Sequence, residues 1–198
     1  MRYSISEMIT NMYSLLLTKL FFRQCRLLRR PLYIRGKKSI IGGKNLTTGY
    51  SCRFDLDGKK STLFIGENCQ FGDNTHVVAY NHVEIGNDVL IASKCFISDT
   101  SHGQYVGDKQ SSPLIAPNSR PLYCKTVIIN ENVWIGENVV ILAGAEIGKG
   151  CIIGANSVIT KKIPDYSMVI GNNVVIKRYC LEKEKWERVN AYDSAGRF

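Results

Sequence analysis

Chemistry in this chain would have to be built around three histidines, His76, His82 and His102, and seven cysteines. Zinc catalysis needs about three protein ligands around an open position. The histidines are spaced 6 and 20 residues apart with no H-x4-H pair, so no metal site is expected. The cysteines form no C-x-x-C pair; their spacing suits reduced core packing, and with it a cytoplasmic compartment, better than disulfides or ligands. Ser98 and Ser101 lack the G-x-S-x-G elbow of a covalent nucleophile. Proton transfer remains. In "ISDTSHG", residues 97–103, Asp99 and His102 stand as Asp-x-x-His. An imidazole changes protonation near neutral pH and can take the proton of a hydroxyl that is otherwise a poor nucleophile. Asp99 could fix the ring tautomer of His102, bind acceptor hydroxyls, or satisfy turn amides.

What must position these groups is a repeat. From Ile129 the chain reads in sixes as INENVW, IGENVV, ILAGAE, IGKGCI, IGANSV and ITKKIP. Isoleucine opens each block, and the fifth place holds Val133, Val139, Ala145, Cys151, Ser157 and Ile163. IGENCQ and FGDNTH, from Ile65, and IGNDVL, IASKCF and ISDTSH, from Ile85, keep the same time, with a two-residue slip around Asn81 and His82. A helical period would walk the isoleucines around a cylinder, and simple alternation is broken by the glycines. Blocks with one large aliphatic, one small residue and frequent Gly or Asn predict an all-β parallel β-helix, each block giving one short strand and one corner. Cys69, Cys95 and Cys151 occupy the small fifth place.

The rhythm stops at His102 and resumes near Val127. A smooth prism offers no walls for a small molecule, and extruding residues 103–126 supplies one beside the candidate base. Lys109, Gln110, Ser111, Ser112, Asn118, Ser119 and Arg120 make the loop polar, and Pro113, Pro117 and Pro121 restrict it. Arg120, in the loop, and Asn81, in the slip, are the candidate acceptor contacts. Backbone N–H groups at the coil corners are candidate donors to charge developing on a carbonyl oxygen.

The ordered combination of "ISDTSHG", "NVWIGENVVILAGAEIG" and "IGANSVITKKIP" resembles the hexapeptide-repeat acyltransferases, and within them the O-acetyltransferases of bacterial lipopolysaccharide O-antigen and capsule assembly. The resemblance spans residues 60–190. It implies a left-handed β-helix, a homotrimer, acetyl-CoA as co-substrate in the groove between neighbouring prisms, and a sugar or lipid-linked glycan acceptor. It assigns the general base to His102 and places Trp134, Glu137, Ala143, Gly144, Ala155, Thr160 and Lys161 beside acetyl-CoA. The family's Gly-x-Pro-Ala ending is replaced by "GNNV", with Asn173 and Val174 in the Pro-Ala places, leaving Lys177 and Arg178 as candidate phosphate contacts. N-acetylation of an amino sugar and a non-catalytic trimerising scaffold are the alternative readings.

Charge divides the chain further. The net charge is +9, and residues 1–38 hold nine Lys or Arg against Glu7 alone, leaving a nearly balanced body of 17 positive and 16 negative groups. Nucleic-acid binding is not expected, because the body shows no basic groove with interleaved aromatics. Ser4 to Glu7 has capping-box spacing, and Ile5, Met8, Ile9, Met12, Leu16 and Leu20 recur with helical period. This predicts a basic amphipathic helix from Ser4 to Arg29 within an appendage of residues 1–38. The repeat body then covers 39–176, and 177–198 forms a short C-terminal helix and tail. The first helix is too polar to span a bilayer. Its apolar face either lies on an anionic membrane, at the cytoplasmic side, or covers an end of the β-helix.

Overall fold

The computed structural model of the chain describes residues 4–189. An α-helix, Ile5–Phe21, leads into coils of a parallel β-helix, and each coil contributes one short strand to each of three parallel sheets. One complete turn shows the construction. Trp134–Ile135 lies in the first sheet, Val140–Ile141 in the second and Glu146–Ile147 in the third.

The isoleucines stack in register as the repeat requires. In the first sheet the inward column runs Phe71, Ile91, Ile135, Ile153 and Val169. The second holds Phe54, Val77, Ile97, Ile141 and Ile159, and the third Ile65, Ile85, Ile129, Ile147 and Ile163. All of these side chains are buried. Each large aliphatic group removed from water contributes about 1.5–3 kcal/mol, so these columns are the main source of stability. Corners follow from the small residues. Asn138 and Asn156 both take φ 59, a left-handed conformation that asparagine tolerates, and the Asn138 amide donates to Asn156 Oδ1 at 2.7 Å. A Cβ on Gly136 would lie 2.6 Å from Ala155 N, which explains the glycine after isoleucine. Cys52, Cys69, Cys95 and Cys151 are buried and reduced, their thiols donating to corner carbonyls such as Gly136 O, 3.1 Å from Cys95.

Both ends depart from the sequence expectation. The helix has its capping box, with Ser4 N donating to Glu7 Oε2 at 2.7 Å, but it stops at Phe21 rather than Arg29. Leu27–Leu28 instead pairs with Thr47–Thr48 as the first strand of the first sheet. Leu32–Arg35 and Ile40–Gly42 open the other two sheets. The repeat body therefore begins at Leu27, not residue 39, because pairing to the next coil outweighs local helical preference. The apolar stripe of the helix does not cover the β-helix end; Phe22 and Cys25 pack there instead.

At the other end no helix forms among the described residues after Lys177. Val174–Cys180 folds back antiparallel on Ser167–Ile170, and Lys185–Arg188 pairs on it in turn. An open parallel edge would template aggregation, and this hairpin, with Tyr179 against Trp186 at 5.4 Å between ring centroids, covers it. The expected tail beyond Val189 lies outside the described residues.

Candidate active site

The extruded segment is an arm with two antiparallel strands at its root. Thr100–His102 pairs with Leu122–Cys124, placing His102 opposite Leu122, and the loop proper is 103–121. The root leaves the corner between the second and third sheets. Its sequence signal was the loss of rhythm; the pairing itself had none, since "LYC" alone does not announce a partner.

Asp99 adopts the third of its possible roles. It is fully buried, and its carboxylate accepts the backbone N–H groups of Tyr80 (3.0 and 3.1 Å to the two oxygens), Asn81 (2.6 Å) and His82 (2.8 Å). Its carboxylate makes no hydrogen bond to the His102 ring. The two-residue slip thereby gains an explanation, because the extra corner residues fold their amides around a carboxylate supplied by the next coil. Asn81, expected to touch acceptor, donates its backbone N–H to this cradle.

The His102 ring is exposed and makes no hydrogen bond among the described residues, while its carbonyl accepts from Tyr105 OH at 2.6 Å. The other imidazoles are engaged. His76 Nε2 lies 3.0 Å from Asp55, and His82 Nε2 lies 3.2 Å from Glu84. Partial burial would raise the Asp55 pKa, but the hydrogen bonds from Arg53 and His76 and the charges of Arg53 and Arg35 hold it below the ordinary carboxylate range.

Arg120, a candidate acceptor contact, is engaged within its own loop. Its guanidinium donates to Ile115 O at 2.9 Å, Pro113 O at 3.2 Å and Tyr105 OH at 2.6 Å. Through Tyr105 it ties the loop to the His102 carbonyl. Planar, forked donors suit this task, since one cation clasps three acceptors.

The remaining predicted residues divide between two corners of the prism and the face of the first sheet. Ala143, Gly144, Thr160 and Lys161 share the corner between the second and third sheets with Asp99 and the arm root. Gly144 N donates to Thr126 O at 3.2 Å, and a Cβ on Gly144 would stand 3.2 Å from Lys125 Cδ. Asn173, in one of the Pro-Ala places, closes the corner at Thr160, accepting from its N–H and donating to its hydroxyl, both at 2.9 Å. Trp134, by contrast, is exposed on the first sheet, and Glu137 and Ala155 lie at the corner between the first and second sheets. Glu137 there meets Lys94 at 3.6 Å. Lys177 and Arg178 occupy the C-terminal strand added to the first sheet. Lys161, Lys177 and Arg178 form no ion pair among the described residues. Sequence reading missed Lys125 and Tyr123 at the arm root, where the ammonium lies 5.7 Å from the ring centroid.

Comparison with known proteins gives this arrangement a context. Residues 126–161 match the family described as bacterial transferase hexapeptide (six repeats). The chain is 41% identical over 189 residues to the putative lipopolysaccharide biosynthesis O-acetyl transferase WbbJ of Escherichia coli (strain K12), covering 94% of this chain and 96% of that one. Among solved structures, AntD, an N-acyltransferase from Bacillus cereus in complex with dTDP and 3-hydroxybutyryl-CoA, superposes with TM-score 0.65 at 19% identity, covering 96% of this chain and 90% of that one, a likeness of fold. The polySia specific acetyltransferase NeuO gives TM-score 0.52 at 28% identity, with 84% and 71% covered.

Proposed function

The chain belongs to the hexapeptide-repeat acetyltransferases, and from that premise we propose that it moves the acetyl group of acetyl-CoA to a sugar hydroxyl of a surface-polysaccharide precursor, with His102 as general base. The observation that carries the assignment within the site is the exposed His102 ring, free of hydrogen bonds among the described residues and held at the root of the arm. The O-acetyl rather than N-acetyl reading rests on the relative that is similar over nearly the whole chain.

The residues present fit acetyl-CoA. Lys161, Lys177 and Arg178 are cations without acidic partners among the described residues, suited to phosphate oxygens. Trp134 offers an exposed apolar platform, and Ala143, Gly144 and Ala155 keep the corners low enough for close approach. Acetyl-CoA supplies an activated carbonyl. His102 takes the hydroxyl proton as the acceptor oxygen bonds to that carbonyl carbon; the carbon–sulfur bond breaks, and the imidazolium returns the proton to the departing sulfur. The candidate contacts lie at two corners and on one face of the prism, so a single copy does not gather them, whereas neighbouring copies packed side by side can. This supports a homotrimer with sites at the seams.

The test pairs an assay with an analysis of product. His102→Ala should lower kcat by about 10²–10⁴ while the melting temperature holds. Mass spectrometry of surface polysaccharide from cells with wild-type protein should show an acetyl increment that His102→Ala lacks. Retention of more than about a tenth of kcat would sink the base assignment, and an unchanged polysaccharide in wild-type cells would sink the substrate.

A further inference from the structure

The N-terminal helix is mounted with the polarity of a core-facing helix reversed. Asn11, Ser14 and Thr18, at i, i+3 and i+7, form its docked stripe. Thr18 Oγ1 accepts from Leu28 N at 2.9 Å, Ser14 Oγ from Arg30 N at 3.1 Å, and Asn11 Oδ1 from Tyr50 OH at 3.2 Å. Ser14 and Thr18 are completely buried, whereas Ile5 is 79% exposed, Met12 71% and Leu16 68%. Hydrogen bonds thus fix the rotation of the helix so that its aliphatic stripe faces away from the body. A contiguous apolar surface held outward in this way marks an interaction face.

The charges around it select the partner. The helix carries only Glu7, used in its capping box, and Lys19, which donates to Cys25 O. No acidic residue occurs between Glu7 and Asp55, while Arg23, Arg26, Lys37 and Lys38 are exposed in the segment that follows the helix. Lys37 Nζ bonds Phe21 O at 3.0 Å, fixing one cation at the helix end. A second copy placed on the stripe would oppose like charges, whereas anionic headgroups complement them. Among the described residues no helix is long and apolar enough to cross a membrane, so the stripe lies on a surface instead of spanning it. We propose that this helix docks the protein on an anionic bilayer, with Ile5, Met8, Ile9, Met12, Leu16 and Leu20 in the acyl boundary and the following basic segment on the headgroups.

Co-sedimentation of the full chain with vesicles tests this independently of the acetyl-transfer chemistry. Deletion of residues 1–30 would remove the first β-strand, so substitutions at exposed positions are required. The wild type should sediment with phosphatidylcholine–phosphatidylglycerol vesicles at low salt, with loss at high salt, and not with phosphatidylcholine alone. Ile9→Glu/Leu16→Glu should weaken binding by at least about tenfold, and Arg23→Glu/Arg26→Glu should weaken it and flatten its salt dependence. Circular dichroism and melting temperature check that both variants stay folded. The proposal fails if the wild type ignores anionic vesicles at low salt, or if the glutamate pair binds as well as wild type. It also fails if light scattering shows that the pair splits a larger assembly, which would make the stripe an interface between copies.

Discussion

A buried carboxylate is tolerated only when its oxygens are well bonded, and Asp99 meets that demand with three backbone amides from one corner. Its removal would leave those donors short of partners. Asp99→Ala should therefore destabilise the fold by about 2–4 kcal/mol, read from denaturant unfolding. Asp99→Asn should fall between, because one side-chain oxygen still accepts but the amide nitrogen faces N–H donors. If Asp99→Ala melts like wild type while kcat drops by about a hundredfold or more, the carboxylate orients the imidazole after all and the cradle is incidental. Arg120 poses the opposite case, a charged side chain whose bonds stay inside one loop. Arg120→Ala should change global stability by less than about 1 kcal/mol, since the arm lies outside the stacked core. The loop it clasps should loosen, exposing the Leu114–Ile115 bond to faster thermolysin cleavage and raising the KM for acceptor more than that for acetyl-CoA. Arg120→Lys should behave like the alanine variant, because a point cation cannot hold three separate acceptors. Unchanged cleavage in both variants would show that the prolines alone hold the loop.

At the level of elements, legibility followed repetition. The strands from Ile65 onward could be read because each isoleucine column is written as a six-residue period, and each of those columns is present in register. Leu27–Leu28 could not be read, because a two-residue strand inside "CRLLRR" has no period and looks like a continuation of the helix. The C-terminal hairpin was misread for a related reason. Glu182 to Lys185 has helical composition, but the unpaired edge of the last coil, a feature absent from any local window, decides the conformation in favour of strands. The helix stripe was legible as a pattern, but the direction it faces was not. Apolar spacing shows which residues share a face; that the polar face docks depended on Leu28, Arg30 and Tyr50 meeting it from the first coils. His102 was found because the rhythm broke there, whereas the roles of Asp99 and Arg120 depended on contacts up to 19 residues away in sequence that spacing does not encode.

Across the whole molecule the stacking that builds the prism also holds several thiols in a dry interior. Cys52 and Cys151 occupy the small place at which other coils put valine, alanine or serine, and Cys25 packs at the N-terminal end. Burial pushes all three thiols from an ordinary value near 9 up to about 11. The sign of the linkage follows: between those values the unfolded chain has released protons that the folded chain still holds, so rising pH favours unfolding. The stabilising contribution is complete below about pH 9 and disappears as pH rises through about 11, amounting to about 2 kcal/mol per thiol. Denaturant unfolding of the wild type from pH 8 to 11 should therefore show stability falling steeply above pH 9. The decisive comparison is with Cys52→Ala/Cys151→Ala. Alanine already serves at the equivalent place in Ala145, and this variant should fold, with a slope smaller by about one and a half protons near pH 10 and by about one near pH 9 and pH 11. A variant whose alkaline slope matches wild type would mean that these thiols ionise as easily in the folded prism as outside it, and that the interior is wetter than its packing implies.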